Sequence, residues 1–238
     1  MCATPSSVPT IDVVIPAFNE QDSLPLVLRD LPRPPVQRII VADNNSTDDT
    51  ARVALEGGAV VVPAPRQGYG SACLSGLEYL RRHEPPEIVV FIDGDYSDHP
   101  EELPRIIEPI LEDRADMVIG SRVLGQRERG ALLPQARAGN FVACWLMRLL
   151  YRHRYTDLGP FRAIRWSSLE ALAMEDPDFG WTAEMQVKAL RHHLRVVEVA
   201  ASYRKRVGVS KITGTLKGTF MAGYKILWTV FRYSWRQA

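Results

Sequence analysis

The chain has 238 residues, 46% hydrophobic and 24% charged, with a formal net charge of +1. That composition excludes a disordered tail or a fibre and fits one large folded domain or two small ones. The near-zero total conceals a division: residues 1–120 carry 20 acidic and 9 basic side chains, and residues 121–238 carry 8 and 20. Such polarisation suits one half to cations and the other to anions or an anionic surface, although two halves packed against each other would show the same pattern. So acidic a front half argues against nucleic acid as the main partner.

Cys2, Cys73 and Cys144 are widely spaced and show no CxxC or zinc-ligand pattern, which speaks against a disulfide scaffold or a structural metal. The first ten residues, MCATPSSVPT, lack the basic then apolar order of a secretory signal, so a cytoplasmic location is expected. No charge-free apolar run reaches the roughly 20 residues that a membrane-spanning helix needs.

In chain order, short apolar runs predict strands at 11–15, 38–42, 59–62, 88–92 and 117–119, each nearly continuous, as in strands buried on both faces. Helical spacing separates them: Leu24, Leu28 and Leu31; Thr50, Val53 and Ala54; Ala72, Leu74, Leu77 and Leu80; Leu103, Ile106, Ile107, Ile110 and Leu111. Strand alternating with helix predicts an α/β fold built on a mainly parallel sheet. The second half is less regular, with a helix around 141–150, a strand at 161–164, a helix at 182–193, extended pieces at 195–199 and 202–207, and a final helix at 215–233. Residues 1–10 read as a flexible N-terminus, 11–214 as one domain with its halves meeting at 120, and 215–238 as an amphipathic helix.

Ligands of parallel sheets sit beyond the carboxyl ends of the strands, so the residues at those exits are informative. After the first strand come Pro16 to Glu20. After the second come Asp43 to Asp49, where Ser46 or Thr47 is placed to cap the next helix. After the third come Gly68 and Gly70, whose lack of a Cβ permits close approach to a ligand. After the fourth comes Asp93-Gly94-Asp95. Two carboxylates one residue apart repel each other unless a cation lies between them or one is protonated. Oxygen ligands select Mg²⁺ or Mn²⁺, which bridge to substrate phosphates. The four exits together read as a nucleotide site.

IPAFNE (15–20), ADNNSTDDT (42–50), GYGSA (68–72), DGD (93–95) and GSR (120–122), in that order, resemble glycosyltransferase family 2 with its GT-A fold. DLGPFRAI (157–164), WTAEMQVKA (181–189) and YRKRVGVSKITGT (203–215) resemble its branch of polyprenyl-phosphate sugar synthases, the dolichol-phosphate mannose synthase type. The resemblance implies a metal-dependent, inverting transfer of a hexose from a UDP- or GDP-sugar to a polyprenyl phosphate. It places Pro16, Ala17 and Glu20 in the nucleoside pocket, Asp43 on the base, Gly68 and Gly70 beside ribose or pyrophosphate, and Gly94 within the donor site. It likewise places Asp93 near the sugar and ribose and gives Asp95 most of the metal. Two departures stand out: Asp-Asn-Asn replaces the commoner Asp-Asp-Gly at the second exit, and Ser97 stands where mannose synthases often carry a metal-binding Gln.

In the basic half, Arg122, Arg137 and Arg204 are candidates for an acceptor phosphate, because guanidinium groups pair with phosphate oxygens. Arg204, Arg206, Ser210 and Lys211 share one segment, where Gly208 lets the chain fold close to an anion. Arg206 and Lys211 are assigned to the nucleotide sugar, and Ser210 to the acceptor phosphate. A lipid phosphate is already anionic and needs little base. A hydroxyl acceptor on a lipid, glycan or small metabolite needs one, and Glu184 is the first candidate, Asp157 the second. A non-catalytic nucleotide-sugar-binding protein is the remaining alternative. Leu216, Phe220, Tyr224, Leu227 and Phe231 form an apolar stripe interrupted by Lys217, Lys225 and Arg232, so the last helix suits the interface of an anionic membrane on its cytoplasmic face; core packing or a dimer contact would use the same stripe.

Overall fold

The computed structural model of the chain describes residues 9–208 and the helix at 216–235, with side chains of that helix from 223 to 233. The strands are β1 (Ile11–Ala17), β2 (Val36–Asp43), β3 (Val60–Pro63), β4 (Ile88–Phe91), β5 (Met117–Ser121), β6 (Arg162–Arg165) and β7 (Val196–Ala200). The helices are α1 (Leu24–Asp30), α2 (Thr50–Glu56), α3 (Tyr69–Arg82), α4 (Leu103–Leu111), α5 (Pro134–Tyr151), α6 (Trp166–Leu172), α7 (Trp181–Arg191) and α8 (Leu216–Trp235).

All seven strands form one sheet in the order β3-β2-β1-β4-β6-β5-β7. Among the described residues β6 is the single reversed strand, antiparallel to both β4 and β5, while the other pairings are parallel. β1, β4 and β5 are nearly fully buried, as continuous Val and Ile runs require when helices cover both faces. Two apolar clusters back the two faces. One joins α3 and α7 to Val14, Phe91 and Trp181; the other joins α1 and α4 to Val13, Ile15 and Val90. From β1 the chain winds outward through β2 to β3, and then returns to place β4 on the other side of β1. That reversal opens a crevice between the β1 and β4 exits.

Differences from the sequence reading lie at the margins. Neither Ser46 nor Thr47 caps α2, which begins only at Thr50; the Ser46 hydroxyl instead accepts the Asn19 N–H at 3.0 Å, tying the β1 exit to the β2 exit. The extended piece at 202–207 forms no ladder, only single bridges from Tyr203 to Asp98 and Arg127. The expected flexible N-terminus falls largely on residues 1–8, outside the described residues. No helix among the described residues is long and apolar enough to cross a membrane.

Candidate active site

The exits of β1, β2 and β4 and the start of α3 enclose a cavity of about 380 Å³ at the crevice. Pro16, Ala17 and Glu20 line it from β1, Asn44 from β2, Gly68 and Tyr69 from α3, and Asp93, Gly94 and Asp95 from β4. Arg206 reaches in from the far end of the chain, 3.0 Å from Glu20 and 3.3 Å from Asp95. Its position is set by backbone pairing: the Arg204 N–H donates to the Ser97 carbonyl at 2.9 Å and the Val207 N–H to the Asp95 carbonyl at 3.0 Å, which lays residues 204–207 along the acidic turn.

Each carboxylate of the turn is held differently. One Asp95 oxygen accepts both the Ser97 N–H at 2.9 Å and the Ser97 hydroxyl at 2.5 Å, leaving the other oxygen toward Arg206. Ser97 therefore orients Asp95. Asp93 accepts the Tyr69 hydroxyl at 3.0 Å, and desolvation, followed by the adjacent Asp95 charge, pushes its carboxyl up to about 7. Asp98 is buried beneath them, and neither of its oxygens has a hydrogen-bond partner; burial, then Asp93 and Asp95, drive its carboxyl well above the ordinary carboxylate range.

A turn with this excess of carboxylate over guanidinium charge fits a hard divalent cation held by Asp93 and Asp95. Among the described residues no three His, Cys, Asp or Glu side chains converge to hold a metal unaided. Mg²⁺ and Mn²⁺ sites of this kind are completed by waters and substrate phosphates, so two carboxylates suffice.

The glycines beside the cavity have a second use. A Cβ on Gly70 would lie 2.0 Å from the Asp176 carbonyl oxygen, and one on Gly68 would lie 2.3 Å from that of Pro177. The Gly70 and Ser71 N–H groups donate to the carbonyls of Asp178 and Pro177 at 3.2 and 2.7 Å. The close approach predicted for a ligand is thus made by the protein's own segment 176–178, and Gly68 but not Gly70 lines the cavity. That segment delivers Asp178 and Phe179 to the cavity wall. The sequence reading missed both, because nothing near them in sequence marks a strand exit.

Several expected site residues face the protein. Asp43 accepts the Ser46 N–H at 3.2 Å, and its neighbour Asn44 lines the cavity, stitched to Ala64, Arg66 and Gly68. Glu184 has no exposed surface; its carboxylate accepts the Glu175 and Asp176 N–H groups at 3.0 and 2.8 Å and lies 2.7 Å from the Lys188 ammonium. Asp157 is equally buried and grips Arg122 through two guanidinium bonds of 2.8 Å and the Arg122 N–H. Neither carboxylate is poised to take a substrate proton, and the Arg122 side chain is committed to Asp157, with its guanidinium 5.1 Å from the centre of the Tyr203 ring. Arg204 stacks on Tyr96, its guanidinium 3.8 Å from the ring centre, and bonds the Asp98 carbonyl at 3.2 Å, so it braces the acidic turn from behind. Ser210 and Lys211 lie outside the described residues.

Arg137 lies elsewhere. It lines a second cavity of about 610 Å³ against α5, together with Arg127, Arg148, Arg154, Phe141 and Trp145. Five arginines and no acidic residue occur between Glu128 and Asp157. Eleven of the thirteen exposed large hydrophobic residues lie within 123–150 or on α8, which marks this side of the molecule as its apolar face among the described residues. On α8 the exposed members are Tyr224, Trp228 and Phe231, while Val230 and Tyr233 are buried. Leu216 and Phe220, the first members of the predicted stripe, have side chains outside the described residues.

With this geometry in place, comparison with known proteins is specific. Residues 12–172 match the family model for glycosyl transferase family 2. An uncharacterized glycosyltransferase of Mycobacterium tuberculosis is 40% identical over 89% of this chain and 94% of its own. The undecaprenyl-phosphate mannosyltransferase of Micrococcus luteus is 31% identical over 86% of this chain and 88% of its own. Among solved structures, glucosyl-3-phosphoglycerate synthase from Mycobacterium tuberculosis, in complex with Mn²⁺, UDP and phosphoglyceric acid, superposes with a TM-score of 0.76 at 22% identity, covering 97% of this chain and 80% of that one. That likeness shows a shared fold.

Proposed function

The chain belongs to glycosyl transferase family 2, and from that premise we propose that it transfers a hexose from a UDP- or GDP-sugar, with Mg²⁺ or Mn²⁺, to an acceptor that carries a phosphate. The observation that carries the donor side is the pair Asp93 and Asp95 lining the cavity with Arg206 beside Asp95. Asp93 and Asp95 would hold the cation, which supplies charge neutralisation for the departing diphosphate. Arg206 adds a guanidinium on the same side, Ser97 keeps Asp95 in its orientation, and Tyr69 does so for Asp93. Fixed charges of this kind act without reorganising as charge develops. The Mn²⁺ and UDP seen in the solved synthase support this reading.

For the acceptor, we infer a polyprenyl phosphate. A groove that mixes exposed Phe141 and Trp145 with four arginines offers apolar surface and anion-pairing groups together. Arg127 on its rim is bridged to Tyr203, next to the segment that carries Arg206. The mannosyltransferase relative, whose name specifies undecaprenyl phosphate, supports the same reading. A phosphate nucleophile needs no base, in keeping with the internal pairing of Glu184 and Asp157. Such a substrate would bring the apolar face of α5 and α8 against the cytoplasmic surface of a membrane.

A second reading gives the sugar to a hydroxyl of a small phosphorylated metabolite. The phosphoglyceric acid bound by the solved synthase favours it, and a basic groove accepts a small phosphate as readily as a lipid one. One experiment tests both. Nucleotide sugars are screened for Mn²⁺-dependent thermal stabilisation, and the responders are assayed with short polyprenyl phosphates and with phosphoglycerate. Turnover on the lipid phosphate alone supports the first reading, turnover on phosphoglycerate alone the second, and no nucleotide-sugar response in any metal removes the donor assignment.

A further inference from the structure

The segment from Glu175 to Phe179 joins the donor cavity to the last helix. On its inner side, its backbone closes on the start of α3 through the Gly70 and Ser71 amides, and Asp178 and Phe179 enter the cavity wall. From below, Glu184 of α7 receives the Glu175 and Asp176 amides. From outside, α8 supplies four side chains. The Lys225 ammonium lies 3.3 Å from Asp176 and 3.7 Å from Asp178, and the Thr229 hydroxyl 3.5 Å from Asp176. Arg232 lies 3.3 Å from Glu175, and the Tyr233 hydroxyl sits 2.6 Å from Glu175 and 2.8 Å from Glu184. Asp176 is the junction, because it also accepts the Asp178 N–H at 2.8 Å.

Between the end of α6 at Leu172 and the start of α7 at Trp181 there is no strand or helix. A segment without a ladder of its own takes its position from whatever it is tied to, and its local stability is that of those ties. Here the ties run to α3, which borders the cavity, and to α7 and α8, none of whose described residues lines it. The segment also carries two carboxylates, of which Asp178 lines the cavity assigned to the donor diphosphate and Asp176 is buried. Lys225 is the cation placed between them.

Building on the donor assignment above, we propose that α8 sets the donor-binding wall: Lys225, Thr229 and Asp176 are positioning residues that hold Asp178 and Phe179 against the nucleotide sugar, so donor affinity depends on the docking of the last helix. Removing Lys225 acts in two ways. It loosens the wall, and it leaves the Asp176 and Asp178 charges unscreened toward an incoming anion. Lys225 is partly exposed, so its loss should leave the sheet and both apolar clusters intact.

The test uses the full chain with Mn²⁺ and its responding nucleotide sugar, comparing Lys225→Met and Thr229→Val with Lys225→Arg. In Lys225→Met the donor KM rises about tenfold while kcat and the acceptor KM stay within about threefold, and Lys225→Arg restores the donor KM. Thr229→Val shifts it in the same direction by a smaller factor. Independently of any substrate, hydrogen exchange at the Gly70 and Ser71 amides speeds up about tenfold in Lys225→Met, while amides of β1 and β4 keep their protection. Unchanged exchange at Gly70 and Ser71 in both variants overturns the proposal. Faster exchange with an unchanged donor KM overturns it too, because the wall would then move without touching the donor. A wild-type protein that responds to no nucleotide sugar, yet shows the exchange shift in Lys225→Met, refutes the donor assignment and leaves the tie between α8 and the glycine turn standing.

Discussion

Around β4, the carboxylates of Asp93 and Asp95 line a cavity even as Tyr69, Ser97 and Arg206 contact them; around α7, those of Asp157 and Glu184 are fully buried among guanidinium, ammonium and amide groups of the protein itself. Both pairs sit in motifs whose residue types suggest chemistry. The difference lies in what surrounds them. The exits of β1, β2 and β4 border a cavity, so charge is left facing a space that a ligand can fill. Near α7 both carboxylates are fully buried, and a charge enclosed there survives only by pairing inside the protein. A motif identifies residues worth examining, and packing decides whether they bind substrate or hold the frame.

The largest expected effect tests the open side. Asp95→Ala should lower kcat/KM by about 10³-fold or more while the melting temperature changes by no more than a few degrees, because the proposed donor site assigns Asp95 to the cation and diphosphate. Near-normal turnover in that variant would break the contrast at its first term.

The enclosed side should respond in stability. Asp157→Asn strips the buried Arg122 guanidinium of its charged partner, and destabilisation of about 3 kcal/mol is expected, read as the shift in denaturant midpoint at constant slope. Glu184→Gln should also destabilise, because its single amide oxygen can accept only one of the Glu175 and Asp176 N–H groups that the two carboxylate oxygens now accept separately. A general base would instead show a loss of about 10²-fold or more in kcat at unchanged stability. Either variant behaving so would return its residue to the chemistry.

The Asp93 carboxyl sharpens the comparison through pH. It ionises at about 7 rather than at the ordinary 3.8, because burial and then Asp95 disfavour its charge. The folded protein therefore retains this proton where the unfolded chain has lost it, and between those values the metal-free protein loses stability as pH rises. Cation binding requires the ionised form, so Mn²⁺ affinity should fall about tenfold for each pH unit below 7. Melting curves with and without Mn²⁺ between about pH 5 and 8 would show both trends with opposite sign. A Mn²⁺ response flat across that range would mean Asp93 is not a ligand.

The smallest effect belongs to the second cavity. Arg137→Ala should raise the acceptor KM by about fivefold to tenfold and leave the donor KM unchanged, since one exposed guanidinium among several contributes a modest share of phosphate affinity. Equal shifts in both constants would place Arg137 outside a dedicated acceptor groove.

Much of the front half was legible in sequence because burial on both faces leaves a local signature. β1, β2, β4 and β5 are runs of Val and Ile that little else accommodates, and their exits carry the polar residues that now line the crevice. The direction of β6 was not legible, since RAIR reads the same in a parallel or an antiparallel neighbour. α6 follows β6 directly, Trp166 coming right after Arg165, so no polar exit separates strand from helix and the sequence analysis did not pick the helix out. Asp178 and Phe179 left no signal at all, because their place in the cavity comes from a loop folded back onto Gly68 and Gly70.

By itself, then, the order of residues determined the alternation of strands and helices, the family, and the acidic turn after β4, all of which depend on neighbours within a few positions. Only the tertiary structure decided that Glu184 anchors a wall, that Asp157 and Arg122 cancel each other, that the glycines admit the protein's own backbone, and that Arg206 meets Asp95. Those outcomes turn on which charges are brought together and which are left facing solvent, and contact between residues far apart in sequence is settled by packing.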